Sequence, residues 1–157
     1  MSLSQHAADA ITRAAGWAAA TPDDQGIFHF HLEENLDMDF FCPDGRTGIF
    51  LSILTTLPDQ ETEADQLVLR CAQYVVSSSK KHTSILSLKS GRIQLHRTLG
   101  LDKLSKEELS RTLPVVARDF LNDLAWWHSA LGNQEGKSTL SSPFSITGMS
   151  ANWSLRR

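Results

Sequence analysis

Residues 48–76 read GIFLSILTTLPDQETEADQLVLRCAQYVV, and the fold turns on them. From Gly48 to Leu57 the pattern is that of a strand: Ile49, Leu51 and Ile53 fall on one side, Phe50 and Leu54 on the other. Both faces are apolar, so neither is committed to solvent. Pro58 and Asp59 stop the strand. From Glu61 to Val76 the period becomes helical. Ala64, Leu67, Val68, Cys71, Ala72, Val75 and Val76 share a face, with Asp65, Gln66, Arg70 and Gln73 opposite.

Upstream, two shorter strands are predicted. In Ile27–Leu32, Phe28, Phe30 and Leu32 oppose Ile27, His29 and His31; in Leu36–Phe41, Leu36, Met38 and Phe40 oppose Asp37, Asp39 and Phe41. Glu33–Asn35 and Pro43-Asp44-Gly45 read as turns, and such short links favour an antiparallel meander of three strands. Before them, Ser4–Ala20 reads as an amphipathic helix with Ser4 as N-cap, ended by Pro22 and Gly26. Its face is Ala7, Ala10, Ile11, Ala14 and Trp17 or Ala18.

Downstream, Thr83–Leu88 and Arg92–Thr98 flank Lys89-Ser90-Gly91 as a hairpin. Ser105-Lys106-Glu107-Glu108 is a capping box opening a long helix, whose stripe is Leu109, Leu113, Val116, Phe120, Leu124, Trp127 and Leu131. Pro114 interrupts that stripe and predicts a kink, or a break near Thr112. Trp127 continues the stripe, so Trp126 points elsewhere. The order of elements indicates an α+β fold: helix, three-strand antiparallel meander, helix, β-hairpin, long C-terminal helix. Residues 1–131 are expected to form one domain and 132–157, rich in Ser, Gly and Asn, a flexible tail.

The 157 residues carry 15 Lys and Arg against 18 Asp and Glu, a formal net charge of −3. That balance argues against a nucleic-acid binder, which needs a basic stripe. The alanine-rich start is broken by His6, Asp9, Thr12 and Arg13, unlike an export signal, and no apolar run is long enough to span a bilayer. A cytoplasmic protein is expected. Cys42 and Cys71 have no partners at metal-site spacing and fit a reducing compartment.

For chemistry, His29 and His31 share a strand face, and Asp37 or Asp39 could complete a metal site or act as an acid–base pair. The simpler account is the solvated side of two strands. Cys42 lacks a local base to activate it, and Cys71 sits on an apolar helix face. No catalytic, metal or cofactor-binding residues are assigned, and the chain is not expected to be an enzyme.

What the sequence offers is surplus apolar surface, which in a soluble protein usually marks a partner. The helix face suits a two-fold dimer, and an open strand face or edge suits an extended peptide. Candidate peptide pockets are Phe28, Phe30, Phe41, Phe50 and Leu54, with Trp17 from the first helix.

From Leu3 to Leu131 the chain resembles the class I type III secretion chaperones of the Tir-chaperone family. The likeness rests on element order, the strand ending in Leu57-Pro58, the Leu67–Val76 helix and the Ser84–Leu88/Ile93–His96 hairpin around Gly91. The long helix ending in an aromatic cluster completes it. The resemblance implies a cytosolic homodimer that keeps an extended N-terminal segment of a secreted effector export-competent. A secretion-apparatus ATPase is the further partner it suggests. It places the dimer interface at Leu67, Val68, Cys71 and Val75, with Ile85 and Leu86 of the hairpin. Two alternatives stay open: a regulatory adaptor on the same fold, and a small metal- or thiol-dependent enzyme using His29, His31, Asp37, Asp39 or Cys42.

Overall fold

The computed structural model describes residues 2–32, 36–78 and 81–132. The expected Glu33–Asn35 turn and the tail beyond Gly132 lie outside them. Helix α1 (Leu3–Ala15) is followed by strands β1 (Phe28–Leu32), β2 (Leu36–Phe41) and β3 (Thr47–Thr56). Helix α2 (Glu61–Ser78), the hairpin β4 (Ile85–Lys89) and β5 (Arg92–Gly100), and helix α3 (Lys106–Gly132) complete the order. The α+β expectation is correct.

All five strands form one antiparallel sheet in the order β1-β2-β3-β5-β4. The meander and the hairpin therefore join through the long β3–β5 ladder, which runs from Thr47↔Gly100 to Thr56↔Arg92. Its length follows from the apolar run of β3, which needs a neighbour on both edges. Ser90 and Gly91 both take positive φ at the hairpin tip, the geometry that a two-residue turn requires.

Alternation assigns each strand two faces, and burial identifies the inner one. Phe28, Phe30, Met38, Phe40, Phe50 and Leu95 are all buried on it. The rings pack in a chain: Phe28 to Phe40 at 6.3 Å, Phe40 to Phe50 at 5.0 Å, and Phe50 to Phe120 of α3 at 5.9 Å. Helix α3 lies over this face with Leu109, Leu113, Val116, Phe120, Leu124 and Trp127 buried, and α1 packs beside it through Ala7, Ala8 and Ile11.

Helix α1 differs from expectation at both ends, and of the two alternatives at Pro114 the break does not occur. Helix α1 is capped by Ser2, whose Oγ accepts the Gln5 N–H at 3.2 Å, and it ends at Ala15 rather than Ala20. Gly16 takes a left-handed φ of 70°, and the Trp17 N–H turns back to the Thr12 carbonyl at 2.8 Å. That closure halts the helix well before Pro22. Helix α3 does not break at Pro114 but runs unbroken from Lys106 to Gly132. An interior proline costs about 3 kcal/mol. Buried side chains on both sides of it, each worth roughly 1.5–3 kcal/mol, outweigh that. The capping box forms as expected: Glu108 N–H donates to Ser105 Oγ, and Ser105 N–H donates to Glu108 Oε2.

Candidate protein-interaction surfaces

The outer face of the sheet changes character from strand to strand. On β1 and β2 it is polar, and register sets the pairs: His29 stands opposite Asp39 and His31 opposite Asp37. His29 Nδ1 lies 2.7 Å from Asp39 Oδ1, and its Nε2 lies 3.1 Å from Asp23 Oδ2. His31 Nδ1 lies 2.9 Å from Asp37 Oδ1. Hydrogen bonds from Asp23 and then Asp39 raise the His29 pKa above its ordinary value. The Ile27 backbone N–H, followed by His29, holds Asp23 below its own. Each histidine is therefore tied to a carboxylate across the strands. Among the described residues no cluster of three or more His, Cys, Asp or Glu could hold a metal ion.

On β3 the outer face is apolar, and on β5 the partners Thr98, His96 and Gln94 make it polar again. Ile49, Leu51 and Ile53 of β3 share the outer face with Phe41 of β2. Ile53 is 46% exposed, and the other three are half-buried. Burial, with the Asp44 charge behind it, pushes the Cys42 thiol up to about 11, and burial raises Cys71 as well.

The expected peptide-binding set divides on these faces, which corrects most of it. Phe28, Phe30 and Phe50 are fully buried and Leu54 nearly so, all within the core. They belong to the monomer's own interior because α1 and α3 cover the side of the sheet they occupy. Trp17 is half-buried, with its ring 5.8 Å from Phe30, and Phe41 keeps surface on the outer face. Ile49, Leu51 and Ile53, which stood outside the expected set, are the apolar residues of β3 on the outer face. Their signal was present in the alternation of β3, but alternation does not say which side the helices take.

Further exposed apolar residues lie on α2 and on β4. Of its 18 residues, α2 buries only Cys71 and Ser78. Leu67, Cys71, Tyr74 and Ser78 form a narrow inward stripe, spaced three and four apart. Val68, Leu69, Val75 and Val76 are exposed, Leu69 at 60%. On β4, Ile85 is 57% exposed on the outer sheet face, and Leu88 is exposed on the opposite face, which it shares with Leu86, packed against the core. The expected dimer set thus splits. Val68, Val75 and Ile85 face outward, Leu67 and Leu86 are half-buried against the core, and Cys71 is buried inside the monomer, where it offers a second copy no contact. Leu69, Val76 and Leu88 are exposed as well, outside the expected dimer set.

Two uncovered apolar surfaces on a sheet braced by helices define a protein-binding module. Residues 7–118, most of the chain, match the family model described as the Tir chaperone protein (CesT) family. The chain belongs to that family of type III secretion chaperones. No curated protein has a sequence that matches it. Among solved structures it is similar to a chain of the HopA1-SchA chaperone-effector complex, at 16% identity and a TM-score of 0.56, covering 81% of this chain and 94% of that one. It is equally similar to a chain of the ExsC-ExsE complex, at 12% identity and a TM-score of 0.56, covering 82% and 96%. At these identities the likeness establishes the fold. Among the described residues no helix is long and apolar enough to cross a membrane.

Proposed function

We propose that this chain is a cytoplasmic export chaperone that works as a homodimer and holds an extended N-terminal segment of a secreted effector. The observation that carries the reading is the pair of apolar surfaces the fold leaves uncovered. Val68, Leu69, Val75 and Ile85 suit a two-fold contact, because one helix face beside a strand edge can be presented identically by both copies. Phe41, Ile49, Leu51 and Ile53 suit a guest, since a rigid pleated face offers pockets at alternate residues of an extended chain. The carboxylates Asp37 and Asp39 beside that strip favour a guest with basic residues flanking its apolar ones. Family membership and the chaperone–effector assemblies among the structural relatives support the same reading. Handing the guest to a secretion-apparatus ATPase is the step it would lead to.

The test is mass and capture. The wild-type chain should sediment as a dimer at micromolar concentration, and Val75→Asp as a monomer, because the contact would desolvate an uncompensated charge. Leu51→Asp should stay dimeric yet lose its guest on co-purification from the native host. A monomeric wild type rejects the dimer, and the absence of any bound effector segment under secretion-inducing conditions rejects the chaperone role.

A further inference from the structure

Helix α2 has little of its own to hold it against the domain, since only Cys71 and Ser78 along its length are buried. Beyond the stripe Leu67, Cys71, Tyr74 and Ser78 along its length, a polar cluster lies just downstream of it. The Lys81 and His82 N–H groups both donate to the Ser78 carbonyl at the end of the helix, at 2.8 and 3.2 Å. His82 Nδ1 then meets Asp123 Oδ1 of α3 at 2.6 Å. Asp123 Oδ2 accepts from the Ser84 N–H at 3.0 Å and from the Ser84 hydroxyl at 2.5 Å. Asp123 is 5% exposed, an acidic side chain within the buried stripe of α3. A carboxylate that is ionised only accepts, and His82 Nδ1 is placed to donate to it. The His82 ring lies 4.6 Å from Trp126, and Tyr74 of α2 meets Trp126 and Trp127 edge-on at 5.9 and 6.2 Å.

We infer that Asp123 is a latch: by gripping His82 and Ser84 it fixes the end of α2 and the start of β4 to α3, and so sets the pose of the outward face of α2 relative to the β4 edge. A buried carboxylate is an expensive way to close a loop, because its desolvation is offset only while all its donors stay in place. It is suited to setting one geometry, since partial engagement leaves a charge unsatisfied. The two pieces it joins are those that carry Val75 and Ile85, one on each side of the latch. Asp123 is thus a positioning residue for a surface it does not touch, and the inference rests on the homodimer reading for what that surface does.

The test uses the full chain and separates pose from stability. Amide hydrogen exchange is followed over residues 74–86 and over 113–122, and the dimer dissociation constant is measured by sedimentation equilibrium. In Asp123→Ala, exchange over 74–86 should rise at least tenfold more than over 113–122, and the dimer constant should weaken at least tenfold. Ser84→Ala, which removes one of the three bonds and is safer for folding, should shift both readouts the same way by less. Equal changes in the two segments would reduce Asp123 to an ordinary stabilising residue and overturn the latch. A freed 74–86 segment with an unchanged dimer constant would overturn its control of the surface. If the wild type proves monomeric, the dimer reading fails, and the exchange comparison alone decides whether the latch exists.

Discussion

Exchanging Phe50 and its neighbour Leu51 for alanine puts the two faces of β3 to a direct test. The residues are adjacent, both apolar, and point to opposite sides of one strand. Phe50 is fully buried between Phe40 at 5.0 Å and Phe120 at 5.9 Å. Removing a core ring of this kind costs roughly 3–5 kcal/mol, from lost transfer energy and the cavity left behind. The two ring contacts, each worth about 0.5–1.5 kcal/mol, place Phe50→Ala toward the upper end of that range. A domain typically has only about 5–15 kcal/mol of stability to lose, so the variant should be near the edge of folding. Leu51 is half-buried on the outer face, and its truncation should cost only about 1 kcal/mol. Urea denaturation at one fixed protein concentration reads both, with the midpoint falling several times further for Phe50→Ala. Guest capture reads the converse, with Leu51→Ala weakened while still folded. If Phe50→Ala unfolds within about 1 kcal/mol of wild type, or if Leu51→Ala costs as much as Phe50→Ala, the assignment of inner and outer faces is wrong.

Other outcomes follow from single sites. The Cys42 thiol, held at about 11, should react slowly with iodoacetamide at pH 8, and its rate should climb about tenfold per pH unit toward pH 10; a plateau near pH 8 would contradict the burial that raises it. His29 is raised above its ordinary value of 6.5 in the folded state, so its contribution to stability is complete below about 6.5 and is lost as the pH rises through the folded value. Asp23 is lowered from 3.8, so its contribution is present above about 3.8 and lost as the pH falls. Both operate together between about pH 4 and 6.5, and His29→Gln should flatten the upper limb of a stability–pH curve and shrink the lower limb without abolishing it, since the Ile27 N–H still holds Asp23 down. Ser105→Ala removes the cap of α3 and should lower stability by about 1 kcal/mol in thermal unfolding; no change would mean that the end of α3 is already frayed.

The histidines show why some of the site could be read early. His29 and His31 alternate with Phe28, Phe30 and Leu32, and Asp37 and Asp39 with Leu36, Met38 and Phe40. Period-two alternation already places all four polar residues on one side, and the short turn makes the strands antiparallel neighbours. The pairing itself, His29 with Asp39 and His31 with Asp37, needed the register. Asp123 was not legible at all. It sits in a helical stripe between Phe120 and Leu124, and nothing in its neighbourhood announces His82 and Ser84, some forty residues away.

What the sequence determined by itself was local: the period of each segment, the turns, the capping box at Ser105 and the order of elements that makes an α+β fold. These follow from backbone geometry and neighbours a few residues apart. Tertiary structure alone decided which side of β3 became core. Ile49, Leu51 and Ile53 are as apolar as Phe50 and Leu54, and the difference arises because α1 and α3 cover the face carrying Phe28, Phe40 and Phe50. It likewise decided that Cys71 is spent inside the monomer while Val68 and Val75 remain outside. A strand or helix sets only the directions in which its side chains point; which of those directions is buried depends on elements that arrive from elsewhere in the chain.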